Sequence, residues 1–493
     1  MNNQRDYQYY EANADVVSVK EITPCENNRF ILRWLRDGDD EGSDGISDSI
    51  ILLDLSNDDD GNFLISKCDD LGWLGYFIGR SKCLRKLFIW NPSSLGSRSP
   101  EDEEREQRII NALCDGIARN QSIQHVNLDG LSNDGFAAIV RTLGNLKQLK
   151  GLTIWSSEFQ VGTIARGLRS IGPTLEELDL SHSGIDNDDL LTLAAALSYC
   201  PKIKKLDLRD KDFSMAASGL AALSRWLQTE GIQLDCLYLH ECHIDDEGLQ
   251  AVIVGAVNHC KHLDLSNNQR ITASGFRLLA TALQSESCCV EKIELCGMGF
   301  ADDVSIGDDG AEALARGLVD NKTLRSLHLI WKGERDISSI TAAGWSVFSK
   351  ALCDTSSVNN TYLSNHTLIE FWTRRGYNEG LEDLLPQNLA RYLGLNRSYP
   401  QHAARCKILM SHAHLDMTPL LDCEWELKLL PSVINWFERA KPCTALSIGE
   451  NPILGESDKV LQSRILTALY EFVSKHNYNS AAWSHRESEV IDI

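Results

Sequence analysis

The sequence predicts an α/β solenoid, a horseshoe of stacked units with short parallel strands on its concave side and helices on its convex side. Three observations predict it. A short apolar phrase, L-x-x-L-x-L, recurs across residues 50–370. Each copy is followed by a segment of Leu, Ile and Ala at helical spacing that opens on Asp, Asn, Ser or Thr. One strand-plus-helix unit also cannot bury its own apolar faces, so the units must stack and share a core.

The strand phrase stands at Leu84-Leu87-Ile89, Ile123-Val126-Leu128, Leu149-Leu152-Ile154, Leu175-Leu178-Leu180 and Ile203-Leu206-Leu208. It continues at Leu234-Leu237-Leu239, Cys260-Leu263-Leu265, Val290-Ile293-Leu295 and Leu324-Leu327-Leu329. Weaker copies are read at Ile50-Leu53-Leu55 and Val358-Thr361-Leu363, giving an array of about ten units over 50–370. From Leu87 onward, steps between middle positions run from 26 to 39 residues, so some units carry inserted loops. The helical half reads as SNDGFAAIVRTL (132–143), DNDDLLTLAAAL (186–197), DDEGLQAVIVGAV (245–257), TASGFRLLATAL (272–283) and GDDGAEALARGL (307–318). A polar residue before each apolar run supplies an N-cap, and acidic residues in the first turn suit the helix dipole.

These phrases, above all LEELDLSHSGIDNDDLLTLAAAL (175–197), resemble ribonuclease-inhibitor-type leucine-rich repeats over roughly residues 80–365. The resemblance implies the horseshoe and a binding role. The sequence departs from the pattern at the Asn/Cys position after the strand. Cys242 and Asn268 match it, whereas Leu131, Ser183 and Lys211 stand there in other copies.

The ends differ from the array. Residues 1–49 read as an acidic N-terminal segment or cap. Within it, Asp37, Asp39, Glu41 and Asp48 approach calcium-loop spacing, but Asp44 sits where that loop wants an apolar residue, so a solvated loop is expected. Residues 371–476 read as a helical C-terminal cap that seals the last apolar face, with helical spacing in 381–397, 402–412, 418–440 and 459–475. This region resembles the C-terminal part of uncharacterised leucine-rich-repeat proteins of diatom-like algae, which implies no activity. Residues 477–493 read as a polar tail.

Composition narrows the function. The chain has 493 residues and a formal net charge of -22, which opposes a broad nucleic-acid or anionic-membrane surface. No apolar run reaches the ~18 residues of a membrane helix, and the start lacks a secretory signal, so a cytoplasmic protein is expected. The 15 Cys then read as free thiols, and the N-x-S/T triplets at Asn120, Asn321 and Asn396 as chance.

No catalytic phrase is present: GxxxxGK[ST], GxSxG, HExxH and the kinase set are all missing. CLYLHECH carries Cys236, His240, Cys242 and His243, but strand alternation sends Cys236 and His240 outward and Cys242 inward, so no metal and no cofactor are expected. The same alternation turns Phe88, Trp90, Asp129, Trp155, Glu177, Asp179 and Asp207 outward. It does so too for Arg209, Tyr238, His240, Asp264, Glu294 and Tyr362, with Lys205, Cys236, His262 and Lys292 between them. Aromatics toward the ends and carboxylates in the middle describe a protein-binding surface suited to a partner with a basic face. The expected function is therefore a protein-interaction scaffold, adaptor or inhibitor, not an enzyme. Two alternatives remain open at this point. One is a GTPase-activating regulator of a small GTPase, since one such family uses this repeat type and Arg209 is the outward arginine. The other is a substrate-recognition subunit for ubiquitin transfer. Oligomeric state is not legible.

Overall fold

A computed structural model describes residues 6–38, 50–55, 60–91, 100–155, 159–296, 306–329, 340–372 and 385–412. The chain forms two compact units, residues 1–306 with 328–332 and residues 307–327 with 333–493. The architecture is an α/β leucine-rich-repeat solenoid.

The first unit alternates strands and helices. Its strands are β1 (Ile50–Asp54), β2 (Lys86–Trp90), β3 (His125–Asp129), β4 (Gly151–Trp155), β5 (Glu177–Asp179), β6 (Lys205–Asp207), β7 (Leu234–Tyr238), β8 (Cys260–Asp264) and β9 (Lys292–Glu294). They pair parallel and in chain order. The middle residues of the repeated phrase are each at most 1% exposed, from Leu87 and Val126 to Leu263 and Ile293. Burying each such side chain contributes about 1.5–3 kcal/mol, and the next unit supplies the cover.

The helices behind the sheet are α4 (Leu71–Arg80), α5 (Pro100–Arg119), α6 (Asn133–Leu143), α7 (Val161–Ile171), α8 (Asn187–Ala196), α9 (Ala217–Leu227), α10 (Asp246–His259) and α11 (Ala273–Leu283). Four open on the caps read from the sequence. Ser132, Asp186, Asp245 and Thr272 accept from the backbone N–H of Gly135, Asp189, Gly248 and Ser274. Neighbouring helices approach closely where glycine permits. A Cβ on Gly116 of α5 would stand 1.7 Å from the Gly75 carbonyl oxygen of α4.

The N-terminal segment, read as an acidic segment or cap, holds three helices among its described residues: α1 (Tyr7–Asn13), α2 (Val19–Ile22) and α3 (Glu26–Asp37). Tyr10 donates to Asp70 at 2.8 Å and packs edge-on against Trp73. Buried Asn28 donates to the Leu64 carbonyl and accepts from the Leu64 N–H, both at 2.8 Å, an imitation of strand pairing that ties α3 to the first repeat. Most of the acidic stretch 37–49 lies outside the described residues; Asp37 itself pairs with Arg36 at 2.8 Å.

The second unit holds α12 (Gly307–Val319), the start of β10 (Ser326–His328, whose His328 belongs to the first unit), α13 (Ala342–Leu352), α14 (Val358–Leu363), β11 (Glu370–Trp372), α15 (Gln387–Ser398) and α16 (Ala403–Ser411). One sequence expectation is corrected here. Val358-Thr361-Leu363, read as a strand phrase, is the helix α14, capped by the Ser357 side chain. The next strand is β11, where the Ile369 and Glu370 N–H groups donate to the Arg325 carbonyl at 2.9 and 3.0 Å. Tyr362 therefore lies on an exposed helix and not on the strand face. Segments 418–440 and 459–475 lie outside the described residues.

The three N-x-S/T asparagines are structural. Asn120, Asn321 and Asn396 are at most 4% exposed. Asn120 accepts from the Ser122 and Ile123 N–H groups, both at 2.7 Å; Asn321 accepts from Thr323 and Leu324, at 3.1 and 2.7 Å. Asn365 repeats the device before β11, accepting from Thr367 and Leu368 and donating to the Leu318 and Asn321 carbonyls. Each of these three satisfies the turn that leads from a helix end into a strand.

Candidate protein-interaction surface

Parallel pairing aligns equivalent positions, so the outward side chains of the first unit form rows across the strands. One row runs Lys86, His125, Gly151, Glu177, Lys205, Cys236, His262, Lys292. The next runs Phe88, Asn127, Thr153, Asp179, Asp207, Tyr238, Asp264, Glu294. A third opens Trp90, Asp129, Trp155. Phe88, Trp90, Asp129 and Trp155 are all partly exposed. Asp129 stands between the two indoles, and burial pushes its carboxyl above the usual range, opposed by the charge of His182.

The middle of the surface differs from the acidic lining read in the sequence. Asp179, Asp207 and Asp264 are only 9%, 0% and 8% exposed. Each accepts a hydrogen bond from the backbone N–H two residues on, at Ser181 (2.9 Å), Arg209 (3.2 Å) and Ser266 (2.9 Å). These are Asx-turns that close the strand ends. Glu294 is also engaged: its Oε1 lies 2.9 Å from His262 Nε2 and 2.7 Å from Lys292 Nζ. The His262 hydrogen bond, against the cost of burial, holds Glu294 down to about 2. Of the six carboxylates expected to line the face, Glu177 is exposed and Asp129 and Glu294 are partly so.

Arg209 is committed within the face. Its Nε lies 2.9 Å from Asp207 Oδ1 and its NH2 2.8 Å from Asp207 Oδ2. The guanidinium sits 5.5 Å from the centre of the Tyr238 ring, and Lys205 Nζ 5.3 Å from it. Tyr238 is thus an aromatic platform flanked by two cations. His240 lies beside it in sequence, its Nε2 3.1 Å from Asn267 Nδ2 and its Nδ1 4.0 Å from Asp264.

Beyond the strands, Gly130, His182, Asp210, Glu241 and Asn267 take positive φ, between 54° and 64°. Each donates its N–H to a carbonyl of the following repeat, as Glu241 does to Ser266 at 2.8 Å. Behind them runs the ladder. Asn268 donates to the Leu239 and Leu265 carbonyls and accepts from the Cys242 and Ile244 N–H groups. Ser183, Lys211 and Cys242 fill equivalent places by donating to the Leu180, Arg209 and Leu208 carbonyls. Within CLYLHECH, Cys242 therefore points into the ladder, while Cys236 faces outward against His262.

The sequence reading singled out the residues of this face one by one and missed a cluster. Cys236, His262 and Glu294 connect across three repeats. The signal was available: the phrase register places Cys236 opposite His262 and His262 opposite Lys292.

Comparison with known proteins agrees with the repeat architecture. Residues 73–286 match the model of the PRAME C-terminal domain. Mouse ribonuclease inhibitor is 25% identical over 289 residues, covering 52% of this chain and 62% of the relative. The human NACHT, LRR and PYD domains-containing protein 5 is 25% identical over 243 residues, covering 43% of this chain and 20% of the relative. The chain thus spans less than two thirds of each curated relative. Among solved structures, the leucine-rich repeat-containing protein LegL7 from Legionella pneumophila aligns with a TM-score of 0.37 at 15% identity, covering 63% of this chain and 90% of that one. The Rad7 and Elc1 complex of yeast aligns with a TM-score of 0.27 at 14% identity, covering 55% and 77%. With the strand phrase, the capped helices and the side-chain ladder, the chain is built of leucine-rich repeats similar to those of ribonuclease inhibitor.

Proposed function

We propose that the strand face of the first unit binds a protein partner, so that the chain serves as an interaction scaffold, adaptor or inhibitor. The observation that carries this reading is the row Trp90–Asp129–Trp155. Two partly exposed indoles flank a half-buried carboxylate on three adjacent strands, the anchor-and-polar pattern of binding hot spots. Mouse ribonuclease inhibitor, named for inhibiting a ribonuclease, supports it by similarity. The net charge of -22, with Glu177 and Asp129 on the face, favours a partner with a basic surface and would speed its encounter. Arg209, which a GTPase-activating reading would use, is held by Asp207, so the scaffold reading is favoured over it. Thirteen free cysteines among the described residues fit a reducing compartment, which supports a cytoplasmic location. Among the described residues no helix is long and apolar enough to cross a membrane.

The test is co-purification from cell extract with the wild type and a Trp90→Ala/Trp155→Ala/Tyr238→Ala variant of matched fold. A photocrosslinker is placed in parallel at exposed Glu177 and, as a control, at Arg277 on the helix side. A partner lost by the variant and crosslinked from position 177 but not 277 supports the reading. A partner set that is unchanged in the variant sinks it.

A further inference from the structure

We propose that Cys236, His262 and Glu294 form an activated thiol on the strand face, a site of covalent modification by α,β-unsaturated carbonyl compounds. Cys236 Sγ lies 3.7 Å from His262 Nδ1, and His262 Nε2 lies 2.9 Å from Glu294 Oε1. This is the nucleophile, base and orienting-carboxylate order that thiol chemistry uses. Glu294 is itself fixed by Lys292 Nζ at 2.7 Å, with His328 Nδ1 at 3.9 Å on its other oxygen. Three neighbouring repeats therefore hold the imidazole in one orientation. Tyr238 packs edge-on to the His262 ring, with centroids 5.3 Å apart. Lys205, opposite Cys236 on the preceding strand, adds positive charge. Asp207 and Asp264, the acids nearest in the adjoining row, are engaged in their own turns.

The charges agree with this geometry. The His262 hydrogen bond, against desolvation, brings the Cys236 thiol below its ordinary range. Burial would lower His262, but its bonds to Cys236 and Glu294 prevail and raise it to about 9. By contrast, burial pushes Cys68, Cys114, Cys200, Cys242, Cys260 and Cys289 upward. Cys236 is partly exposed, so the thiolate can be reached from solvent.

The step balances without an oxidant or reductant. His262 takes the thiol proton, and the thiolate sulfur attacks the β-carbon of the conjugated carbonyl. The S–C bond forms as the C=C π bond breaks, its electron pair passing to the enolate. The imidazolium then returns its proton to the α-carbon, leaving a thioether and neutral His262.

The test is alkylation of the full chain by acrylamide, followed peptide by peptide by mass spectrometry between pH 6 and 9. At pH 6.5, Cys236 is expected to react at least about tenfold faster than Cys289. Its rate should change less than about threefold up to pH 8, whereas an ordinary thiol gains about tenfold per pH unit below its pKa. His262→Gln should lower the Cys236 rate about tenfold at pH 6.5 and restore the steep profile. Glu294→Gln should lower it less and keep the plateau. A wild-type Cys236 profile that parallels that of Cys289 would overturn the proposal whether or not the variants fold. So would a folded His262→Gln protein that keeps the plateau.

Discussion

Replacing Asn268 by Ala removes a side chain that serves four backbone groups at once. Asn268 is wholly buried. Its Oδ1 accepts from the Cys242 and Ile244 N–H groups, both at 3.0 Å, and its Nδ2 donates to the Leu239 and Leu265 carbonyls at 2.8 Å. Alanine leaves two buried donors and two buried acceptors in a loop that water cannot reach. At about 1 kcal/mol net for each bond lost, the cost is about 4 kcal/mol. The chain supplies its own calibration, because Cys242 occupies the equivalent place one repeat earlier and donates to the Leu208 carbonyl at 3.1 Å. Asn268→Cys should therefore keep one of the four bonds and lose less, about 3 kcal/mol. Repeat arrays need not unfold in one step, so the assay is residue-resolved hydrogen exchange together with urea unfolding. The Cys242 and Ile244 amides should lose protection first and most. If both keep wild-type protection in Asn268→Ala, or if Ala costs no more than Cys, the ladder does not work as described.

Two further perturbations read other parts of the fold. Arg209→Ala strips the cation from Asp207, whose side chain is wholly buried, and should cost about 3 kcal/mol, whereas Asp207→Asn leaves a guanidinium that is 38% exposed and should cost less; urea unfolding that gives the reverse order would contradict the pairing. In the second unit, wholly buried Lys407 of α16 donates to the Leu352 and Asn365 carbonyls at 2.6 and 2.8 Å and lies 3.1 Å from His366 Nδ1. Burial lowers Lys407 to about 7 and, with the charge of Lys407, lowers His366 to about 4. An unfolded lysine keeps its proton to about 10.4, so between about 7 and 10.4 the unfolded chain binds more protons, and the stability of this unit should rise with pH across that window. Urea midpoints of the second-unit transition at pH 7 and 9.5 check the sign, with Lys407→Met flattening the difference.

The strands and helices were legible because the same constraints recur in every unit. Period-two apolar positions, a capping residue and a helical Leu/Ala run agree at β3 with α6, at β5 with α8 and at β8 with α11. The array's end was misread because the phrase of β11 is incomplete: Leu368 and Phe371 fit, but residue 373 is Thr, and Val358-Thr361-Leu363 imitates the spacing. A better marker was present. Asn stands three residues before the first apolar position at Asn120-Ile123, Asn321-Leu324 and Asn365-Leu368. Its amide must satisfy the helix-to-strand turn, a demand the backbone makes in each unit whatever the outer residues are. Read as chance glycosylation triplets, the first two hid that role.

The charge of the surface was less legible than its direction, and the reason is local. Strand alternation correctly puts Asp179, Asp207 and Asp264 on the outward row, yet does not say whether the carboxylate reaches solvent. That is decided three residues later. His182, Asp210 and Asn267 take left-handed φ of 54°, 56° and 58°. At each turn the N–H one residue earlier meets the aspartate and draws it in. Asp129 precedes its own left-handed residue, Gly130, by one position, and Glu177 lies a full alternation further from the turn at His182. Neither is offered such an N–H, and both remain on the face, Asp129 partly exposed and Glu177 exposed. In this chain an Asp three residues before a left-handed turn is part of the scaffold. The acids that these turns leave on the face stand elsewhere, at Asp129 between its two tryptophans, at Glu177 and at Glu294, which is paired with His262 and Lys292.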